Sequence, residues 1–205
     1  MNDTSALTIP GITDSATLAC IARSRKYSQY VGMVEDALAG RCTFCDFDPA
    51  RNRMIDVPEV NLWRVWHSNS PEKNTALHII IAPKRHVTDM RQLLVSERDE
   101  LWRIWDSLPE MFGYEFRGKL VRDGDATQSA GTIEHLHLHE MTMAGTGRVE
   151  SPFCKTPEEE AAGVVRAIIY EKVRTGTPFE SLSPEERALI KGRMGQPFEE
   201  EPAKK

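Results

Sequence analysis

Residues 133–141 read IEHLHLHEM, placing three of the six histidines at every second position, with leucines between them. No other stretch constrains its own fold so tightly. A strand turns successive side chains to opposite faces, so His135, His137 and His139 share one face with Ile133, Met141 and Met143, while Leu136 and Leu138 take the other. The leucines predict a core-facing side and the imidazoles a row on the opposite side. Glu134 and Glu140 fall on the leucine face at its two ends and are expected to emerge where the strand leaves the core.

A row of imidazoles admits three readings. It can be an exposed histidine-rich strand without chemistry, against which the leucine backing argues. It can be a catalytic metal site, with same-face histidines sharing an ion that keeps a position open for water. It can be a nucleophilic site, where one imidazole attacks phosphorus while its neighbours fix its tautomer and bind phosphoryl oxygens. Spacing alone does not separate the last two.

The rest of the chain frames this strand. Residues 14–40 read as helical, with a break near Gly32 and an end at Gly40, after a loose start of about ten residues. A loop with Cys42 and Cys45 follows. Residues 61–69 and 76–83 are rich in aromatic and β-branched side chains around the turn-forming SPEKN, which predicts a hairpin. Ser96 is the expected cap of the next helix, with Asp99 three residues on and Leu101, Ile104, Trp105 and Leu108 at helical spacing. Pro109 should kink or shorten that helix and Gly113 should stop it. Residues 116–124 read as a strand ending in an Asp-Gly turn. Thr156 as cap, Pro157 at the first position and three acids in the first turn predict a helix from 157. A short helix follows SPEE at 183–186, and EEEPAKK reads as a disordered tail. Strands in runs point to an antiparallel α+β domain.

A chain of 205 residues fits one domain with a sizeable core. Its 26 basic against 31 acidic residues leave a net charge of -5, which gives no broad footprint for a nucleic-acid backbone, so an anionic ligand must be held locally. No apolar run approaches a membrane span, and the N-terminus lacks the basic-then-apolar order of a signal peptide, so a cytoplasmic location is expected. Of Cys20, Cys42, Cys45 and Cys154, only Cys42 and Cys45 form a recognisable pair. In that compartment the pair suggests a metal or redox role.

HLHLHEM fits the His-x-His-x-His-x-x signature of the histidine-triad (HIT) nucleotide hydrolases and transferases. ALHIIIAPKRHV is similar to the strand that precedes the triad in that family, with His78 and His86 eight apart, and CTFC resembles the Cys-x-Phe-Cys of its zinc-bearing members. The resemblance spans residues 42 to 143, about half the chain. It implies an antiparallel sheet of about five strands with the Ser96 helix packed on it: a catalytic domain over 41–155, an N-terminal helical extension over 1–40, and a C-terminal one over 156–205 that includes the tail. A homodimer is also implied.

The roles implied are specific. His137 would attack the α-phosphorus of a purine nucleoside phosphoramidate or dinucleoside polyphosphate, forming a covalent nucleotidyl-histidine. His139 would donate to the phosphoryl oxygens, and His78 would support the network. Cys42, Cys45, His86 and His135 would hold a structural zinc, with no organic cofactor. Gly131, Thr132 and Ser129, with Gln128, occupy the segment where the family binds phosphate. Asp123 lies near an Asn that contacts the nucleotide. Trp63 and Trp66 suit core packing, with base stacking as the alternative, and His67 has no catalytic part. The chain departs from the pattern at Glu140, where an apolar residue is usual, at Asp123, and in a loop before His135 that is two residues longer. A metal-dependent hydrolase using the triad as ligands and a non-catalytic nucleotide-binding module are the competing readings.

Overall fold

The computed structural model describes residues 7–191, so the expected tail, EEEPAKK, lies outside the described residues. Along the chain run α1 (Ser15–Ala22), α2 (Tyr27–Leu38), β1 (Trp63–His67), β2 (Thr75–Pro83), α3 (Val95–Phe112), β3 (Gly118–Val121), β4 (Leu138–Met143), α4 (Pro157–Arg174) and α5 (Pro184–Lys191). The class is α+β, with four strands in one antiparallel sheet where about five were expected. No described helix is long and apolar enough to cross a membrane. The chain forms two compact units. Among the described residues, one holds 42–125 and 133–153; the other holds 7–41, 126–132 and 154–191.

The first unit is the sheet, ordered β1-β2-β4-β3, with α3. The expected hairpin forms, pairing Trp63 with Pro83 through His67 with Ile79. Leu138, Ile79, Ile81 and Val65 join Leu101, Ile104 and Leu108 of α3 in one core. Trp63 belongs to it at 2 % exposure, and its Nε1 donates to the Glu97 carbonyl at 2.8 Å, so it packs in the core. On the opposite face Trp66, Ile80 and Ala82 pack with Phe44.

Buried acids of α3 seat it on the sheet. Glu100 Oε2 accepts from the N–H groups of Asn61 and Leu62 at 3.0 and 2.7 Å, which fixes the entry to β1. Glu97 accepts from Leu94 N–H at 2.8 Å and pairs in a fork with Arg85 at 3.0 and 2.7 Å, tying the exit of β2 to the helix. The helix is therefore capped by Glu97 from its third position. Ser96 is not the cap; it lies exposed in the first turn, and Asp99 is exposed one turn on. Pro109 does not end α3, because in the last turn its missing N–H forgoes only the bond to the carbonyl of residue 105. Gly113, at φ 65°, closes the helix by donating to the Pro109 carbonyl at 2.8 Å.

Glu140 corrects the expectation that it would emerge from the core. It is fully buried at 0 % exposure, because Tyr114 donates its hydroxyl to it and Lys119 Nζ, from the paired strand, stands 3.1 Å away. Arg117 lies further out at 3.9 Å. A buried carboxylate is tolerable only with such partners. Glu134 is exposed, as expected.

The second unit packs α1, α2, α4 and α5 around Ile21, Tyr30, Val34, Ala167, Ile169 and Tyr170. The helical stretch at 14–40 breaks at 23–26, not at Gly32, which sits inside α2. At the break Arg23 is 4 % exposed, and its guanidinium donates to the carbonyls of Ala126 and Thr127. Thr156 caps α4 as expected, with Pro157 first and Glu159 completing the reciprocal bond.

Two outcomes test this packing. Lys119→Met removes the cation beside a buried carboxylate and should cost about 2 to 3 kcal/mol in thermal or denaturant unfolding. The Arg85 fork and the Leu94 N–H, against the opposing effect of burial, hold the Glu97 carboxyl below its usual range. A depressed folded value gives stabilisation that is complete above the usual carboxylate range and lost as pH falls through the folded value. Glu97→Gln should therefore cost about 1 kcal/mol at neutral pH, given the exposure of Arg85. Its deficit in Tm should close as the solution is acidified.

Candidate active site and metal centre

The triad begins just before β4 and ends inside it, so His135 and His137 lie on the extended approach and His139 on the strand. Leu136 N–H donates to the Val87 carbonyl at 2.7 Å, holding that approach in line, and Leu136 and Leu138 are buried as the alternation requires. His139 pairs with Ile80, and His78, two residues before Ile80, shares its face.

Backbone groups of fixed polarity set the tautomers of these rings. His137 Nδ1 lies 2.8 Å from the His135 carbonyl. A carbonyl only accepts, so Nδ1 carries the proton and Nε2 carries the lone pair. The Glu72 N–H donates to His78 Nδ1 at 3.0 Å, which puts the His78 proton on Nε2. That nitrogen lies 2.8 Å from His139 Nδ1, so His139 accepts there and carries its own proton on Nε2. Adjacent rings on one face thus hold opposite polarity at Nε2, an acceptor on His137 and a donor on His139. Their centroids are 5.0 Å apart. Burial pushes His137 down to about 4, so the ring is neutral at physiological pH.

His135 turns to a different task. Its Nε2–H donates to the Pro83 carbonyl at 2.9 Å, leaving the Nδ1 lone pair 3.4 Å from Cys42 Sγ and 3.6 Å from Cys45 Sγ. His86 Nδ1 is 3.4 Å from Cys45 Sγ, and the four donor atoms all lie within 4.8 Å of one another. A tetrahedral ion with bonds of about 2.3 Å to sulfur and about 2.0 Å to nitrogen requires sulfur–nitrogen separations of roughly 3.5 Å, so this donor set fits zinc. Partial desolvation and the adjacent Cys42 push the Cys45 thiol up to about 11; a cation would let both sulfurs ionise. The carbonyl behind His135 Nε2 is the outer-shell contact that orients a ligand ring.

The cysteine turn also touches the triad. Cys45 and Asp46 N–H groups return to the Cys42 carbonyl at 3.0 and 2.9 Å, which folds both sulfurs into reach. Phe44, between the cysteines, meets the rings of Trp66, His135 and His137 edge-on at 5.2, 5.7 and 5.4 Å. Trp66 is 3 % exposed in this cluster, so packing, not base stacking, occupies it. Arg64 steadies the turn: Nη1 donates to the Phe44 carbonyl at 2.9 Å and the guanidinium lies over Phe47.

The other candidate residues have bonds of their own. Asp123 Oδ2 accepts from Met90 N–H at 3.0 Å. Ser129, Gly131 and Thr132 belong to the helical unit, where Ser129 Oγ accepts from Gly131 N–H at 2.9 Å; Gln128 reaches Thr127. His67 stacks edge-on against Phe112 of α3. Sequence reasoning left Phe44, Arg64 and Glu72 without a role. The residue inside Cys-x-Phe-Cys carried a signal, whereas the Glu72 backbone and the Arg64 contact carried none.

Solved structures to which the chain is similar include histidine-triad proteins. A zinc-bound histidine triad family protein from Mycobacterium smegmatis is 16% identical, over 66% of this chain and 97% of that one, with a TM-score of 0.41. A histidine triad nucleotide-binding protein from Candida albicans is 15% identical, over 66% and 99%, with a TM-score of 0.41. A HIT family hydrolase from Clostridium thermocellum is 20% identical, over 52% and 94%, with a TM-score of 0.40. No protein-family profile and no curated protein matches the sequence.

Proposed function

We propose that this protein is a nucleotidyl hydrolase or transferase that works through a covalent nucleotidyl-histidine on His137, with a purine nucleoside phosphoramidate or dinucleoside polyphosphate as substrate. The observation that carries this reading is the opposed polarity of two neighbouring nitrogens, a lone pair on His137 Nε2 and a proton on His139 Nε2. A nucleophile needs the first and a developing oxyanion needs the second.

In the first step the His137 lone pair forms a bond to the α-phosphorus, and the bond to the leaving group breaks with its electron pair. The His135 carbonyl holds the proton on Nδ1 and steadies the positive charge that the ring gains. His139 donates to a non-bridging oxygen, while His78, itself held by Glu72 N–H, keeps the His139 proton on Nε2. In the second step water, or another phosphate in a transferase, attacks the same phosphorus. The phosphorus–nitrogen bond breaks and His137 recovers its lone pair.

The proposal includes a structural zinc held by Cys42, Cys45, His86 and His135. Four protein donors leave no open position, so the metal would supply rigidity, and catalysis falls to the neighbouring ring. The same count disfavours a hydrolase that uses the whole triad as ligands, because His137 and His139 point their nitrogens into a separate network.

His137→Asn should lower turnover of a fluorogenic AMP phosphoramidate or of diadenosine tetraphosphate by about 10⁴-fold or more, while zinc content stays near one per chain. Intact mass after an alkaline denaturing quench should show one AMP on the wild type and none on the variant. Turnover retained in His137→Asn would overturn the covalent reading.

Cys45→Ser, or prolonged chelation, should release the metal and lower Tm by several degrees, because the 42–45 turn loses its tether. A chain that carries no zinc by elemental analysis, or a Tm indifferent to chelation, would remove the metal from the proposal.

A further inference from the structure

Every candidate substrate of the proposed reaction brings an anionic phosphoryl group to the triad. Arg64 stands on the same face but is committed to the Phe44 carbonyl, and the register of the sheet points to a second cation. β3 and β4 pair Leu120 with His139 and Val121 with Leu138. Continued by one residue, the register sets Arg122 across from His137, and directly opposed residues of an antiparallel pair project to the same face. Val121 and Leu138 both go to the α3 core, so Arg122 and His137 go to the other side.

The position of Arg122 is built. Its Nε donates to the Pro152 carbonyl at 2.9 Å and its Nη2 to Ser151 Oγ at 2.9 Å, so two contacts from the segment after β4 fix the plane of the guanidinium. Among the charged neighbours that act on the His137 ring, Arg122 comes first. Asp123, next in sequence, accepts from Met90 N–H, and Glu140 lies buried on the α3 face.

We propose that Arg122 is a catalytic residue, the cationic ligand of the phosphoryl oxygens at the phosphorus that His137 attacks, and that Ser151 is its positioning residue. The inference rests on His137 being the nucleophile, and it adds a guanidinium to the imidazoles of the triad. Guanidinium is suited to this work because it stays charged at any working pH and meets two oxygens in one plane.

The test separates phosphate recognition from nucleoside recognition. With the zinc-loaded full chain, calorimetry of AMP and of adenosine is run on wild type, Arg122→Ala, Arg122→Lys and Ser151→Ala, and the rate of His137 adduct formation is measured in parallel. Arg122→Ala should weaken AMP about 10-fold or more with adenosine unchanged, and slow adduct formation about 10²- to 10³-fold. Added guanidinium should restore part of that rate. Arg122→Lys should fall between the two, and Ser151→Ala should slow the adduct several-fold with zinc content and Tm unchanged. Equal loss of AMP and adenosine, or an Arg122→Ala variant that binds AMP as the wild type does, would overturn the proposal. A wild type that binds AMP through Arg122 yet forms no adduct would instead count against the covalent reading while leaving Arg122 as the phosphate ligand.

Discussion

The structure turns on the backbone carbonyl of His135, which accepts the Nδ1 proton of His137. The same residue sends its ring to the cysteine cluster, with its own Nε2–H held by Pro83. One residue thus ties the two clusters together: whatever orders the His135 ring also orders the carbonyl that keeps the neighbouring His137 ring in its tautomer. Phe44 adds a second tie, since it sits between the two cysteines and packs against both imidazoles. A metal bound by the four donors would stiffen that arrangement without taking part in the chemistry.

The sheet separates charge by face. Glu140 and Asp123 are the two acids that depart from the histidine-triad pattern and would repel a phosphate, and Glu140 turns away from the triad. Glu140 is matched by Tyr114 and Lys119, and Asp123 by a backbone N–H. The opposite face carries the imidazoles of His78 and His139 and the Arg64 guanidinium, in a chain whose net charge is negative. Overall charge therefore says little about the site, because strand alternation sorts residues over a few ångströms.

Much of this was legible in the chain. The HLHLH alternation set the faces, the CTFC spacing and the eight-residue step from His78 to His86 announced the cluster, and caps such as Thr156 marked helices where they occur. Misreadings arose where a distant partner overrode a local signal. Ser96 looked like a cap until the Arg85 fork drew Glu97 into that role, and Gly32 looked like a break, which falls instead at Arg23, bonded to residues 126 and 127. Glu140 looked solvent-bound because nothing nearby in sequence announces Tyr114 and Lys119 beneath it.

The sequence by itself determined which residues are candidates for chemistry and which of them share a face, because periodicity is a local property of an extended chain. Only the tertiary structure decided their protonation, orientation and division of labour. Those depend on the Glu72 N–H, the Pro83 carbonyl and the Phe44 ring, and each is a contact between segments that meet only after folding.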